Sequence, residues 1–122
     1  MKTTKFENNG NDVALIESPE KVITDVQSAL DFMSTIFYET GCSRIALNKE
    51  AVSDDFFVLS TRLAGDILQK FINYQVKFAI YGDFSYYTSK PLKDFIYESN
   101  NGNDIYFTAS KEEAVEKLLN AK

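Results

Sequence analysis

The side chains best suited to chemistry fall in four short stretches: Asn48-Lys49, Ser53-Asp54-Asp55, Asp83-Phe84-Ser85-Tyr86-Tyr87 and Ser89-Lys90. The carboxylates of Asp54, Asp55 and Asp83 could hold a cation or move a proton. Adjacent helical residues point about 100° apart, so Asp54 and Asp55 do not converge on one ion unaided. As first-turn acids they also simply suit the helix dipole, and Asp83, directly after Gly82, equally serves a turn. Ser53, Ser89 and Ser110 are predicted helix caps, and helix N-termini offer unpaired N–H groups to an anion. Lys49 and Lys90 would be the nearest cations; the plainer reading is that each serine caps its own helix. Phe84, Tyr86 and Tyr87 place three aromatics within four loop residues. Tyrosine suits contact surfaces because its ring is apolar and its tip polar. The alternative puts Phe84 in the core and lays both tyrosines flat on the surface. Cys42 reads as a small buried filler rather than a nucleophile.

The chain contains no histidine. That removes Ser-His-Asp and Cys-His catalysis and, with a single cysteine, a structural zinc site. Its five glycines form neither the dinucleotide-binding nor the P-loop pattern. No cofactor and no metal is expected, and no residue is assigned a catalytic role. Thirteen basic residues against 18 acidic give a net charge of −5. The basic residues are scattered singly, which argues against a nucleic-acid partner. The apolar share of 44% and charged share of 25% are ordinary for a globular chain. No window approaches the roughly 18 consecutive apolar residues of a membrane span, and the first residues lack the apolar run of a signal peptide. The lone cysteine fits a reducing cytosol, and 122 residues make one domain, 1–122.

Nine elements are predicted to position these residues. Thr3–Glu7 and Asp12–Glu17 flank Asn8-Asn9-Gly10-Asn11, a hairpin signal. Thr24 with Gln27 reads as a capping box opening a helix whose apolar face is Val26, Ala29, Leu30, Met33, Ile36 and Phe37, ended by Gly41. A strand over Arg44–Asn48 precedes a second predicted helix, Ser53–Asn73. The apolar residues of this helix cover roughly 220° of its circumference, more than one sheet needs. It therefore either touches two neighbouring helices or forms a homodimer interface through Phe57, Leu68 and Ile72. Val76–Tyr81 is a strand, Ser89 caps a helix carrying Leu92, Phe95 and Ile96, and Asp104–Thr108 is the last strand. Ser110 with Glu113 reads as a second capping box, before a helix faced by Ala114, Val115, Leu118 and Leu119. The order ββαβαβαβα implies an α/β domain: a mixed, mostly parallel five-stranded sheet with four helices and right-handed crossovers. Ligands of such sheets collect beyond the carboxyl ends of the strands. That end gathers Asn48, Lys49, Ser53, Asp54, Asp83, Ser85, Tyr86, Tyr87, Ser89 and Lys90.

Three stretches carry a family resemblance: Asp25-Val26-Gln27-Ser28-Ala29-Leu30-Asp31, the segment Asp55-Phe56-Phe57 through Ala64-Gly65-Asp66-Ile67-Leu68-Gln69-Lys70-Phe71, and Gly82-Asp83-Phe84-Ser85 with Asp94-Phe95-Ile96-Tyr97-Glu98-Ser99-Asn100. Together they resemble the bacterial family filed as domain of unknown function 4180, over nearly the whole chain. The element order is more distantly similar to STAS domains, the fold of anti-sigma-factor antagonists. That likeness implies a small regulatory module recognising a partner protein, sometimes switched by serine phosphorylation. In that family an aspartate precedes the phosphoacceptor serine; here Val52-Ser53-Asp54-Asp55-Phe56 runs Ser-Asp, so no phosphosite carries over. The resulting expectation is a cytoplasmic, non-catalytic STAS-like interaction module with a protein partner. A small-molecule or anion binder using the same edge is the alternative, and an enzyme built on carboxylates and lysine the third.

Overall fold

Alternating apolar runs and capped helices assemble as the pattern requires. In the computed structural model, which describes residues 1–122, the strands are β1 (Lys2–Phe6), β2 (Val13–Glu17), β3 (Arg44–Asn48), β4 (Lys77–Tyr81) and β5 (Ile105–Thr108). The helices are α1 (Val26–Thr40), α2 (Leu63–Asn73), α3 (Lys90–Asn100) and α4 (Lys111–Asn120). The sheet order is β1-β2-β3-β4-β5, with β1 antiparallel to β2 and every other pair parallel. The expected fold class and element order are therefore present.

Three successive crossovers step across the sheet in one direction, so one handedness puts α1, α2 and α3 on the same face. There they cover Ala14, Ile16, Ile45, Leu47, Phe78, Ile80, Ile105 and Phe107 in one large core. Only α4 lies on the opposite face, packing Ala114, Val115 and Leu118 against Val13, Leu15, Ala46, Ala79, Tyr81 and Tyr106. The Arg44 guanidinium fastens the end of α4 by donating to the carbonyls of Leu118 and Ala121. Because the strand order never reverses, the sheet has no switch-point crevice of the doubly wound kind. Any pocket at its carboxyl end has to be built by loops.

Two predicted helices differ from expectation. The capping box of α1 is Asp25 with Ser28, one residue past Thr24. The Asp25 carboxylate accepts from the Ser28 N–H at 2.7 Å, and the Ser28 hydroxyl accepts from the Asp25 N–H at 3.0 Å. The face of α1 buries Ala29, Phe32, Met33 and Ile36, while Phe37 is exposed. Gly41 closes the helix in the left-handed region (φ 73°), as expected.

The larger correction concerns Ser53–Asn73, which is not one helix. Asp54–Phe57 and Leu59–Thr61 are short 3₁₀ turns, and α2 starts only at Leu63. Thr61 is the physical cause. Its hydroxyl donates to the carbonyls of Asp55 and Val58 and accepts the Leu63 N–H, taking groups a helix would pair. Val58 is extended and Arg62 left-handed (φ 64°), so the two halves face different directions. The wide apolar arc requires a single helical axis over Ser53–Asn73, which the chain does not have. Phe57 and Leu68 are buried within the chain, leaving Ile72 alone exposed on that supposed dimer flank.

Candidate functional site

Parallel pairing in register sets Asn48 opposite Tyr81 and Tyr81 opposite Thr108. The carboxyl ends of β3, β4 and β5 thus form one continuous rim, and the predicted residues divide there between structural work and an exposed surface.

Several are committed to the fold. Asn48 acts as a backbone mimic: its amide nitrogen donates to the Ser18 carbonyl at 2.8 Å and its oxygen accepts the Ser18 N–H at 2.9 Å. The Ser53 N–H donates to the Ile23 carbonyl, and its hydroxyl accepts from Asp55 at the start of a four-residue 3₁₀ turn. Asp54 is almost fully exposed and pairs with Lys21 at 3.6 Å. Ser89 caps α3 through the Leu92 N–H, and Lys90 runs along that helix to Asp94 at 2.6 Å. Ser110 caps α4, although Glu113 reaches back to the Ala109 N–H rather than to that of Ser110. Each serine therefore caps its own helix. Cys42 is buried, as expected. No group of three acidic, histidine or cysteine side chains is arranged to hold a metal ion.

Around Lys49 the picture is different. Its ammonium lies 5.1 Å from the centre of the Tyr87 ring and 6.0 Å from those of Phe57 and Tyr86. It takes part in none of the five ion pairs of the molecule. Three ring faces attract a cation through their quadrupoles, a contact worth about 0.5–2 kcal/mol each depending on solvation. Gly82 makes the arrangement possible: a Cβ on Gly82 would lie 2.7 Å from the Lys49 Cβ. Glycine is thus required where β4 passes the base of Lys49.

The rings are held from behind. Tyr87 stacks on Phe57 with centres 5.3 Å apart, and Phe84 meets Phe107 edge-on at 5.6 Å. Phe84 and Tyr87 are both half-buried against the core, and Tyr86 remains 77% exposed. Asp83 sits beside this cluster. The Ser85 side chain and N–H, and to a lesser extent Lys49, hold its carboxyl below the usual carboxylate range. Between the 3₁₀ turns and the start of α3 lies an open groove of about 460 Å³, walled by Phe57, Val58, Leu59, Tyr86, Tyr87 and Pro91. Lys49, Asp83 and Lys90 do not line it.

The structure accordingly brings Lys49, Asp83, Ser85, Tyr86, Tyr87 and Ser89 to one rim, and it turns Asn48, Ser53, Asp54 and Lys90 to other partners. Sequence reasoning missed Phe57, Val58, Leu59 and Pro91 because it assigned the first three to a continuous helix. The cluster of Ser60 and Thr61 behind the β-branched Val58 was the available signal for a break.

No helix is long and apolar enough to cross a membrane. No curated protein and no solved structure matches the chain. A family model described as Domain of unknown function (DUF4180) matches residues 8–118, which is nearly the whole length. The chain belongs to the DUF4180 family.

Proposed function

We propose that this domain is a non-catalytic protein-interaction module whose contact surface is the aromatic rim at Lys49, Tyr86 and Tyr87. One observation carries the reading: an ammonium free of ion pairs lies against three aromatic rings, and the same three rings wall an open, largely apolar groove. Rigid tyrosine rings give contact area at low entropic cost, and a pre-positioned cation gives a partner's carboxylate a defined place to dock. The groove is shallow and open, as suits a peptide segment laid along it, and Val58 and Tyr86 on its walls are exposed.

The small-molecule alternative draws on the same groove. The anion version of it has less support, since Ser89 serves its own helix and Lys90 is held by Asp94.

Selection of a random displayed peptide library tests the proposal. Peptides enriched on the wild-type domain should carry an acidic residue next to apolar ones, and should shift amide resonances of Lys49, Phe57–Leu59 and Tyr86–Thr88. They should lose binding to Lys49→Glu and Tyr86→Ala. Enrichment of peptides that bind both variants equally well would refute the rim as the contact surface.

A further inference from the structure

The two edges of the sheet are treated differently. At β5 every residue is buried, and the Asn100 amide clamps the outer side of the strand, donating to the Phe107 carbonyl at 3.1 Å and accepting its N–H at 2.8 Å. At β1 all five residues are exposed and no side-chain clamp covers the strand. On the α4 face the sheet is also left short of cover, because α4 packs on β2 to β5. A groove of about 510 Å³ remains between β1 and α4, walled by Thr4, Phe6, Leu15, Val115 and Leu119 together with Glu112, Glu116 and Lys111, the last paired with Glu17. An open strand edge beside an apolar groove is the arrangement that accepts an added strand: backbone groups pair along the edge while alternate side chains enter the groove.

The charges identify the strand. β1 carries Lys2 and Lys5 and no acid, whereas Glu112 and Glu116 on α4 take part in no ion pair. An acidic strand would meet the two glutamates at the groove. A second β1 brings Lys2, which shares the α4 face with Thr4 and Phe6, toward the glutamates and Phe6 toward the groove, from a single self-complementary patch, which a two-fold interface requires.

We propose that two copies of this chain pair antiparallel through β1, joining their sheets into one ten-stranded sheet. With the axis at Thr4, Lys2 of one copy faces Phe6 of the other, and Thr3 faces Lys5. Thr4 and Phe6 share the α4 face, since they pair with Leu15 and Val13. Both Phe6 rings therefore close over the two grooves. Lys5 points to the opposite face, which keeps it apart from Lys2 of the other copy. This dimer face is distinct from the aromatic rim, and it stands or falls independently of the rim's role. Pairing one five-residue strand buries less than the roughly 1,000 Å² of a stable interface, so the dissociation constant lies on the order of tens of micromolar.

Sedimentation velocity from about 5 to about 500 μM brackets that constant. Wild-type protein should pass from monomer to dimer, and Phe6→Glu should weaken the dimer by roughly tenfold or more. Phe6 is partly exposed, so the variant keeps its fold, which circular dichroism checks. Because the native Cys42 is buried, a Thr4→Cys variant offers one reactive thiol close to the axis. It should form a disulfide-linked dimer under mild oxidation much faster than Tyr38→Cys, whose position on α1 is 91% exposed. A monomer throughout the range, or equal cross-linking at the two positions, would overturn the proposal. So would a dimer that Phe6→Glu leaves unchanged.

Discussion

Replacing Gly82 with alanine probes the construction of the rim most sharply. The added Cβ would lie 2.7 Å from the Lys49 Cβ and 3.3 Å from its Cδ. The first of these atoms is fixed by the backbone of the turn that follows β3, so a rotamer change cannot relieve the overlap. Either the ends of β3 and β4 separate or Lys49 leaves its place among the rings. Overpacking of this kind costs about 1–3 kcal/mol. The backbone at Gly82, with φ 157°, adds strain for any residue with a side chain. The same relaxation relieves part of both, so the combined loss is about 2–3 kcal/mol. At about 4 °C per kcal/mol for a domain of this size, the melting temperature falls by about 8–12 °C. Urea titration with an unchanged slope gives the energy, and near-ultraviolet circular dichroism reports the tyrosine rings. A double-mutant cycle with Lys49→Gly should show a favourable coupling, because that change removes the obstructing Cβ. A loss under about 1 kcal/mol with an unaltered near-ultraviolet spectrum would contradict the close packing of Gly82 on Lys49.

Three further outcomes follow from individual groups. Asn100→Ala strips two hydrogen bonds from the edge of β5 and should cost about 1–3 kcal/mol, with faster hydrogen exchange at the Phe107 amide; unchanged exchange there would refute the clamp. The Tyr81 hydroxyl, which donates to the Ile16 carbonyl at 2.9 Å, is pushed far above the ordinary phenol range by burial and by Glu17, Glu50 and Glu112. A raised acid is neutral in the fold where the unfolded chain would ionise, so its contribution is intact below about pH 10 and is lost above it. Absorbance titration should show Tyr81 ionising only as native circular dichroism disappears, and full tyrosine ionisation in a still-native protein would refute this. Hydrogen bonds from the Ser28 backbone and side chain hold the Asp25 carboxyl below its usual value. Its stabilisation is therefore present above about pH 4 and fades as pH falls through the lowered value. Asp25→Ala should flatten the acid limb of the stability curve, and an acid limb identical to wild type would rule out the cap.

Much of this architecture was legible because its signals are local. Asn8 to Asn11 form the hairpin loop, Gly41 stops α1, and Ser89 and Ser110 cap the helices they precede. Alternation of strand and helix sufficed for a mixed, mostly parallel sheet, whereas the strand order β1-β2-β3-β4-β5 is evident only in the fold. Competition between neighbours was harder to read. Thr24 and Asp25 offer rival caps, and Asp25 prevails because Ser28 returns its bond. Thr61 ends a helix that apolar spacing alone would continue, since periodicity does not register a hydroxyl capturing backbone carbonyls. The site was legible in part for a related reason. Lys49, Tyr86 and Tyr87 stood out by type and position, whereas their convergence depends on Phe57 and Gly82 arriving from separate segments. Asn48 looked like a rim ligand and is a clamp for Ser18, a role fixed only by tertiary pairing.

Photo-cross-linking in living cells tests the contact surface most directly. A photoreactive phenylalanine replaces Tyr86 at the rim or, in a parallel strain, Tyr97 on α3, where a tyrosine of similar exposure lies outside the groove. The account predicts one discrete protein adduct from the Tyr86 position that disappears when Lys49→Glu is added, and none from Tyr97. Equal adducts from both positions, or an adduct at Tyr86 indifferent to Lys49→Glu, would contradict it.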